Sequence, residues 1–217
     1  VLPYAPLYHP YSMIVEETQS YFLLVNLFAT TFIGTILVVL FNSFLDRWMD
    51  RERKQRHLMT IDPLTQILNR RGIATQLERI YTTNSNLDQP LSISLIDIDF
   101  FKKINDQYGH DCGDQVLVHI AKLLRLNIRE NDHLGRYGGE EFIVVFENTN
   151  LTTAQNILER CRKAIEQHEL AYDGQIIRFT ASFGLAHATL ENSDQQRLIL
   201  ATDQALYRAK ETGRNKI

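Results

Sequence analysis

Two short stretches place carboxylates where they could do chemistry. Asp97-Ile98-Asp99 closes an apolar run, and Glu140-Glu141 follows Gly138-Gly139. If the second stretch pairs beside the first, four carboxylates converge at one edge of a sheet. Such acids repel one another unless a cation sits between them. A small set of hard oxygen ligands suits Mg²⁺, which keeps waters and also takes phosphate oxygens. Two such ions would stabilise an in-line attack at phosphorus. The plainer alternative is a group of solvated turn acids, the usual meaning of D-x-D or E-E taken alone.

Phosphate chemistry also needs donors. Phe100-Phe101-Lys102-Lys103 follows Asp99 at an expected helix start, where free backbone N–H groups and the helix dipole favour anions. Lys210 and Arg214 lie four apart in the expected last helix and so share a face. Lysine would act as a point charge and arginine as a fork. No G-x-x-x-x-G-K-[ST] occurs, which disfavours a P-loop. Cys112 and Cys161 form no C-x-x-C and have no paired histidine spacing, so zinc and redox readings are poor.

The elements that must hold these residues follow from periodicity. Asp62-Pro63 reads as an N-cap with proline at the first helical position. Leu91 to Ile98 alternates like a half-buried strand, and Val116 to Ile128 carries a helical apolar stripe. Leu134–Tyr137, Gly138-Gly139 and Phe142–Phe146 read as a β-hairpin. Thr152 is expected to cap a helix, Ile176–Ala186 to form a strand, and Asp194 to open a last helix reaching Thr212. The order βαββαβ, with helices at both ends, predicts an α+β fold of the ferredoxin-like, palm-type group. Its sheet would be antiparallel-rich, with helices on one face.

The chain has 217 residues and a net charge of −3, enough for one ordinary domain plus an appendage. That balance gives no reason to expect a nucleic-acid polymer as partner. Residues 21–41 carry no charge and are long enough to cross a bilayer core of roughly 30 Å. No Lys or Arg precedes Arg47, whereas Arg47, Arg51, Arg53, Lys54 and Arg56 follow the run. The expectation is a single pass through the inner (plasma) membrane, with residues 1–20 outside and the remainder cytoplasmic. The outer piece reads as the tail of a larger sensor region. Residues 42–60 form an expected helical stalk with a seam at Leu45, Trp48, Glu52, Gln55 and Met59, or else a basic helix near anionic lipid. Residues 61–217 form the globular domain.

Four segments in this order and spacing strongly resemble the GGDEF family of diguanylate cyclases: DPLTQILNRRG (Asp62–Gly72), DIDFFKKINDQYGHDCGD (Asp97–Asp114), RYGGEEF (Arg136–Phe142) and YRAKETGRN (Tyr207–Asn215). The signature here is the GGEEF form. The resemblance implies Asp97, Glu140 and the Ile98 carbonyl as Mg²⁺ ligands, with two ions per half-site and Mn²⁺ as an alternative. It implies Phe100, Phe101 and Lys102 around the β- and γ-phosphates of GTP, with Lys210 and Arg214 completing the grip. Asn105 and Asp114 would read guanine, since a carboxylate matches two guanine donors and would be left unpaired by adenine. Gly138 and Gly139 would leave room for the nucleotide. Glu141 would assist deprotonation of the 3′-hydroxyl or bind metal, and Asp99 would bind a second ion or orient the site. His110 reads as a turn residue packed after Gly109 rather than a base.

The implied reaction condenses two GTP into cyclic di-GMP and releases two pyrophosphates. Each domain supplies half a site, so a homodimer is expected, with the span and stalk setting its geometry. Arg129 and Asp132 form an R-x-x-D five residues before Gly138, which in the family marks an inhibitory product site for cyclic di-GMP. The competing readings are a silent GTP- or cyclic-di-GMP-binding module and a structural receptor piece. Every catalytic position named above is present, which disfavours the first. No other output domain is visible, which disfavours the second.

Overall fold

The computed structural model describes residues 10–58, 60–83, 89–189 and 194–217, and within the first helix the side chains of 18–19 and 21–49. Contacts divide the chain into two units, Val1–Leu58 and Met59–Ile217.

In the first unit, helix α1 (Pro10–Leu58) runs unbroken through the expected span and into the expected stalk as far as Leu58. Its stretch Tyr21–Met49 is long and apolar enough to cross a membrane, and none of its side chains is buried within the protein. The hydroxyls of Thr30, Thr31 and Thr35 donate to carbonyls three or four residues earlier, so these three hydroxyls are satisfied within the helix. Of the expected stalk seam, Leu45 is half-buried and Trp48 exposed, while Glu52, Gln55 and Met59 fall outside the described side chains.

The second unit is built on a five-stranded sheet: β1 (Leu68–Asn69), β2 (Ser92–Ile98), β3 (His133–Arg136), β4 (Glu141–Phe146) and a fifth strand, Ala181–His187. Two shorter strands, β5 (Leu170–Tyr172) and β6 (Gln175–Ile177), pair separately, so the fifth strand is β7. The order is β1-β3-β4-β2-β7, with β2 lying between β4 and β7 and antiparallel to both. Without β1 this is the ferredoxin-like arrangement expected from the element order.

Helices cover both faces, not one. Even-numbered Ile96 and Ile98, with Phe142, Val144 and Phe146, pack against α3 (Phe101–Tyr108), α4 (His110–Asn127) and α5 (Leu151–Glu166). Odd-numbered Ile93 and Leu95, with Ile143 and Val145, meet α2 (Arg70–Thr83) and α6 (Gln195–Glu211). Strand β2 is therefore buried along its whole length, where alternation predicted a half-buried strand. Its serines are tolerated because they are bonded: Ser92 Oγ donates to the Thr149 carbonyl at 2.9 Å. Gly184 lets α6 approach β7, since a Cβ there would stand 2.2 Å from the Thr202 carbonyl oxygen.

Local expectations fail at four other points. Asp62 caps a turn rather than a helix: Thr65 N and Oγ1 donate to Asp62 Oδ1 at 2.9 and 2.7 Å, and Gln66 then takes a positive φ of 58°. The helix begins only after β1, where Asn69 Oδ1 accepts from Gly72 N. Asn150, not Thr152, caps α5. The expected strand 176–186 divides, because Asp173 and Gly174 (φ 48° and 73°) turn the chain into the β5–β6 hairpin. His110 is exposed at the first position of α4 and not packed.

Candidate active site

The register of β2 against β4 pairs Asp97 with Glu141, so both side chains leave the same face of the sheet. That odd-numbered face is the one α6 covers, and Lys210 in its last turn reaches Asp97: Nζ to Oδ2 is 2.9 Å. The hairpin tip closes alongside, with Ile98 N bonded to the Glu140 carbonyl at 3.4 Å. Asp97 is only 6% exposed. Burial pushes its carboxyl up, Lys210 pulls it back, and Asp99 pushes it further, leaving it above the usual carboxylate range. Glu140 is raised by burial, then by the neighbouring Asp97 charge, with Lys210 opposing. Two raised carboxylates, one of them raised in part by the charge of the other, mark a site short of cationic charge even with one lysine present.

Among the described residues no three His, Cys, Asp or Glu side chains converge as a closed metal cage. Two carboxylates beside a strand-end carbonyl are nonetheless the sparse hard-oxygen set that Mg²⁺ takes together with waters and phosphate. The donors fit that ion. Asp99 is arranged differently: its Oδ1 accepts from Ser182 Oγ at 2.6 Å, and its Oδ2 from Thr180 Oγ1 at 2.7 Å and Asn215 N at 3.1 Å. Three protein donors already hold its two oxygens, so of its two expected roles orientation is the one this geometry favours.

The residues expected to hold phosphate follow directly in the chain. Phe100 is the N-cap residue of α3, held at φ 57°, and its ring is half exposed. The amides of Phe101 and Lys102 precede the first helical bond, Lys103 N to Phe100 O at 2.8 Å. Phe101 turns its ring into the core. Lys103 Nζ lies 4.5 Å and the Arg214 guanidinium 4.6 Å from the centre of the Phe100 ring, both in cation–π range. Arg214 does not share a helix face with Lys210. Helix α6 ends at Glu211, and Arg214 (φ 61°) follows Gly213 (φ 119°) in a turn closed by Arg214 N to Ala209 O at 3.0 Å. The cap brings it to Phe100, rather than helical periodicity.

Asn105 stands on α3 and Asp114, exposed, on α4, the two helices that adjoin at Gly109. Gly109 (φ 86°) alone separates the helices, and a Cβ on Gly113 would stand 1.9 Å from Asn105 Oδ1. The hairpin glycines differ. A Cβ on Gly138 would meet Glu141 Oε2 at 2.4 Å, whereas one on Gly139 would point into open space. Neither has a positive φ, so the backbone does not itself demand glycine there.

Arg136 has no role in the sequence reading beyond its place in RYGGEEF, yet it holds the hairpin tip. Its Nη2 and Nε donate to the Gly139 carbonyl at 2.7 and 3.2 Å, and its Nη1 lies 3.4 Å from both oxygens of Asp62. Thus DPLT and GGEEF are tied by one guanidinium. Burial raises the Asp62 carboxyl, but the Thr65 hydrogen bonds and Arg136 outweigh it and leave it below the ordinary value.

The R-x-x-D stretch is a tight turn apart from this site. Asp132 Oδ2 accepts from Arg129 N at 2.8 Å, and Asp132 is 3% exposed. Burial leaves its carboxyl raised despite that bond. Arg129 and Asp132 line a cavity of about 350 Å³ with Arg79, His133 and Glu147. Burial pushes the Cys161 thiol up to about 12, well above the ordinary thiol range.

A family model described as diguanylate cyclase, GGDEF domain, matches residues 59–216. Diguanylate cyclase A of Treponema denticola is 40% identical over 163 residues, 74% of this chain and 44% of that protein. The chain spans less than half the length of the curated relatives it matches first. Among solved structures, the active GGEEF domain of a diguanylate cyclase from Vibrio cholerae has a TM-score of 0.65 at 39% identity, covering 70% of this chain and 96% of that one. The GGDEF domain of DgcB from Caulobacter crescentus, in complex with c-di-GMP, has a TM-score of 0.69 at 29% identity, covering 72% and 90%. With its GGEEF tip, its paired Asp97 and Glu141 and its Lys210 cation, the chain belongs to the GGDEF-domain family of diguanylate cyclases.

Proposed function

We propose that the protein is a membrane-anchored diguanylate cyclase that condenses two GTP into cyclic di-GMP and two pyrophosphates, one GTP per subunit of a homodimer. The observation that carries this is the pairing of Asp97 with the GGEEF tip beside Lys210. The likeness to a c-di-GMP-bound GGDEF domain supports the product.

Asp97 and Glu140, with the Ile98 carbonyl, would hold Mg²⁺, which when bound neutralises the triphosphate and polarises the phosphate under attack. The amides of Phe101 and Lys102 and the side chain of Lys102 receive phosphate oxygens at the start of α3. Lys210, kept at the site by Asp97, and Arg214, kept by the Phe100 ring, add cationic charge there. Asn105 and Asp114 at the α3–α4 corner present an amide and a carboxylate to guanine. Glu141 places its carboxylate beside Gly138, where it accepts the proton of the attacking 3′-hydroxyl.

Pairing of two half-sites removes the entropic cost of bringing two nucleotides together. The apolar stretch Tyr21–Met49 supports anchorage in the inner membrane, with the basic flank on the cytoplasmic side. The long unbroken α1 supports regulation through dimer geometry; a one-residue insertion near Trp48 is expected to change turnover and leave GTP affinity unchanged. The Arg129–Asp132 turn and its cavity support product inhibition. The test is to follow product at increasing density of the purified chain in lipid nanodiscs or liposomes. Two pyrophosphates per cyclic di-GMP, at a specific rate that rises with density, are expected; a density-independent rate contradicts the dimeric site.

A further inference from the structure

Gly213, Arg214 and Asn215 take positive φ values of 119°, 61° and 47° in succession. For the two non-glycine residues this conformation costs roughly 1–2 kcal/mol each, so surrounding bonds must hold it. The bonds converge on Asn215. Its backbone N–H donates to Asp99 Oδ2 at 3.1 Å, its Oδ1 accepts from Arg162 Nη1 at 3.0 Å, and its Nδ2 donates to Glu166 Oε1 at 2.7 Å. Arg162 is itself fixed by α5. Its Nε and Nη2 fork onto Glu159 at 2.9 and 2.8 Å, and its Nη1 reaches Glu166 Oε2 at 2.9 Å.

At the other end Asp99 is bonded to Thr180 and Ser182, and its N–H donates to the Thr180 carbonyl at 2.9 Å. One connected network therefore joins α5, the turn after α6, the β2–α3 turn and the start of β7. Arg214, one residue before Asn215, and Phe100, one residue after Asp99, touch at 4.6 Å on the outer side of that network. A rigid base with two adjacent reactive-end residues is the arrangement that pre-organises a binding site.

We propose that Arg162 and Asn215 are positioning residues for the phosphate end of the site. They clamp the turn after α6 onto Asp99, and so fix where the Arg214 guanidinium and the amides of Phe101 and Lys102 stand. The phosphate-binding meaning of that end rests on the cyclase reading above; the clamp itself does not. Neither side chain touches the nucleotide, so the effect of removing either is loss of alignment, seen chiefly as weaker GTP binding.

The experiment uses the full chain in lipid nanodiscs, as wild type, Asn215→Gly, Arg162→Met, Asn215→Asp, and Asn215→Asp combined with Glu166→Gln. Glycine keeps the backbone conformation and removes only the side-chain bonds. Amide exchange of Asp99 and Lys103, both hydrogen-bonded in the fold, is expected to rise at least tenfold in Asn215→Gly and Arg162→Met, with Ile143–Val145 unchanged. The KM for GTP is expected to rise at least fivefold with kcat within twofold. Asn215→Asp sets two carboxylates against each other and should share the defect. Adding Glu166→Gln restores a donor and should return KM to within twofold of wild type.

Unchanged exchange at Asp99 and Lys103 overturns the clamp whatever the activity. A lowered kcat and melting temperature with an unchanged KM overturns the positioning role in favour of plain structural support. Should the wild type make no cyclic di-GMP even as a forced dimer, the cyclase reading fails, and the clamp is still judged by exchange and by binding of a non-hydrolysable GTP analogue.

Discussion

Lys210 Nζ stands 2.9 Å from Asp97 Oδ2, so the last turn of α6 supplies a cation to the end of β2. The two residues are 113 positions apart in the chain and meet only because β2 and α6 share a face of the sheet. Lys210 thus serves the site before any nucleotide arrives, by partly compensating a carboxylate that burial disfavours.

Lys210→Met leaves Asp97 buried beside Glu140 without its cation. A loss of about 1 kcal/mol is expected, at the low end for a deprived buried group because the Lys210 side chain is a third exposed. Added Mg²⁺ should raise the melting temperature of this variant more than that of wild type. Equal shifts in thermal denaturation would argue against a cation site at Asp97.

Arg136→Lys keeps the charge and loses the fork that spans Gly139 and Asp62. The fold should survive, and cyclic di-GMP formation should fall roughly tenfold, which corresponds to about 1.4 kcal/mol in the barrier. A rate within twofold of wild type would show that the hairpin tip does not need this tie.

Asp62 gives a pH signature with a definite sign. Its carboxyl lies below the ordinary 3.8 in the fold, so its stabilisation is full above that value and is lost as pH falls through the lowered one. Asp62→Asn should therefore be less stable than wild type at neutral pH, with the gap closing in acid. Denaturant titrations at several pH values measure it, and a gap that widens in acid would contradict the assignment.

Much of this arrangement is legible in the residues themselves. The Gly138-Gly139 turn, the strands around it and the Asp194 cap are local features, and Asp194 Oδ1 does accept from Arg197 N at 2.8 Å. What escapes is set by distant partners. The serines of β2 look solvent-facing until Thr149 is found to accept from Ser92. Asp62-Pro63 has the form of a helix start, yet the pairing of Leu68 with Gly135 in β3 delays the helix to Arg70. Arg214 fits the helical spacing from Lys210, but Gly213 ends the helix first. The Asp99–Asn215 bond crosses 116 positions and leaves no periodic trace.

Gly139→Ala separates folding from function. Its Cβ would enter open space at an ordinary φ, so a melting temperature within about 2 °C of wild type is expected, less than 1 kcal/mol for a domain of this size. Product formation should nevertheless drop at least tenfold, because the methyl would occupy the face proposed for the nucleotide. Full activity would remove Gly139 from the binding surface.

Arg129→Ala should leave synthesis intact and raise the cyclic di-GMP concentration at which turnover stops. Asp132→Ala is a poorer probe, because it strips a buried turn of the acceptor for Arg129 N and costs about 1–3 kcal/mol of stability. An unchanged inhibition constant in Arg129→Ala would detach the cavity from product control.

The most direct measurement is mass-spectrometric detection of cyclic di-GMP after the purified chain, held as a forced dimer in lipid nanodiscs, is incubated with GTP and Mg²⁺. Wild type is predicted to accumulate the product, and Asp97→Asn and Glu140→Gln to accumulate none. GTP left unconsumed by the wild-type dimer, or product made equally by all three proteins, would contradict the cyclase assignment.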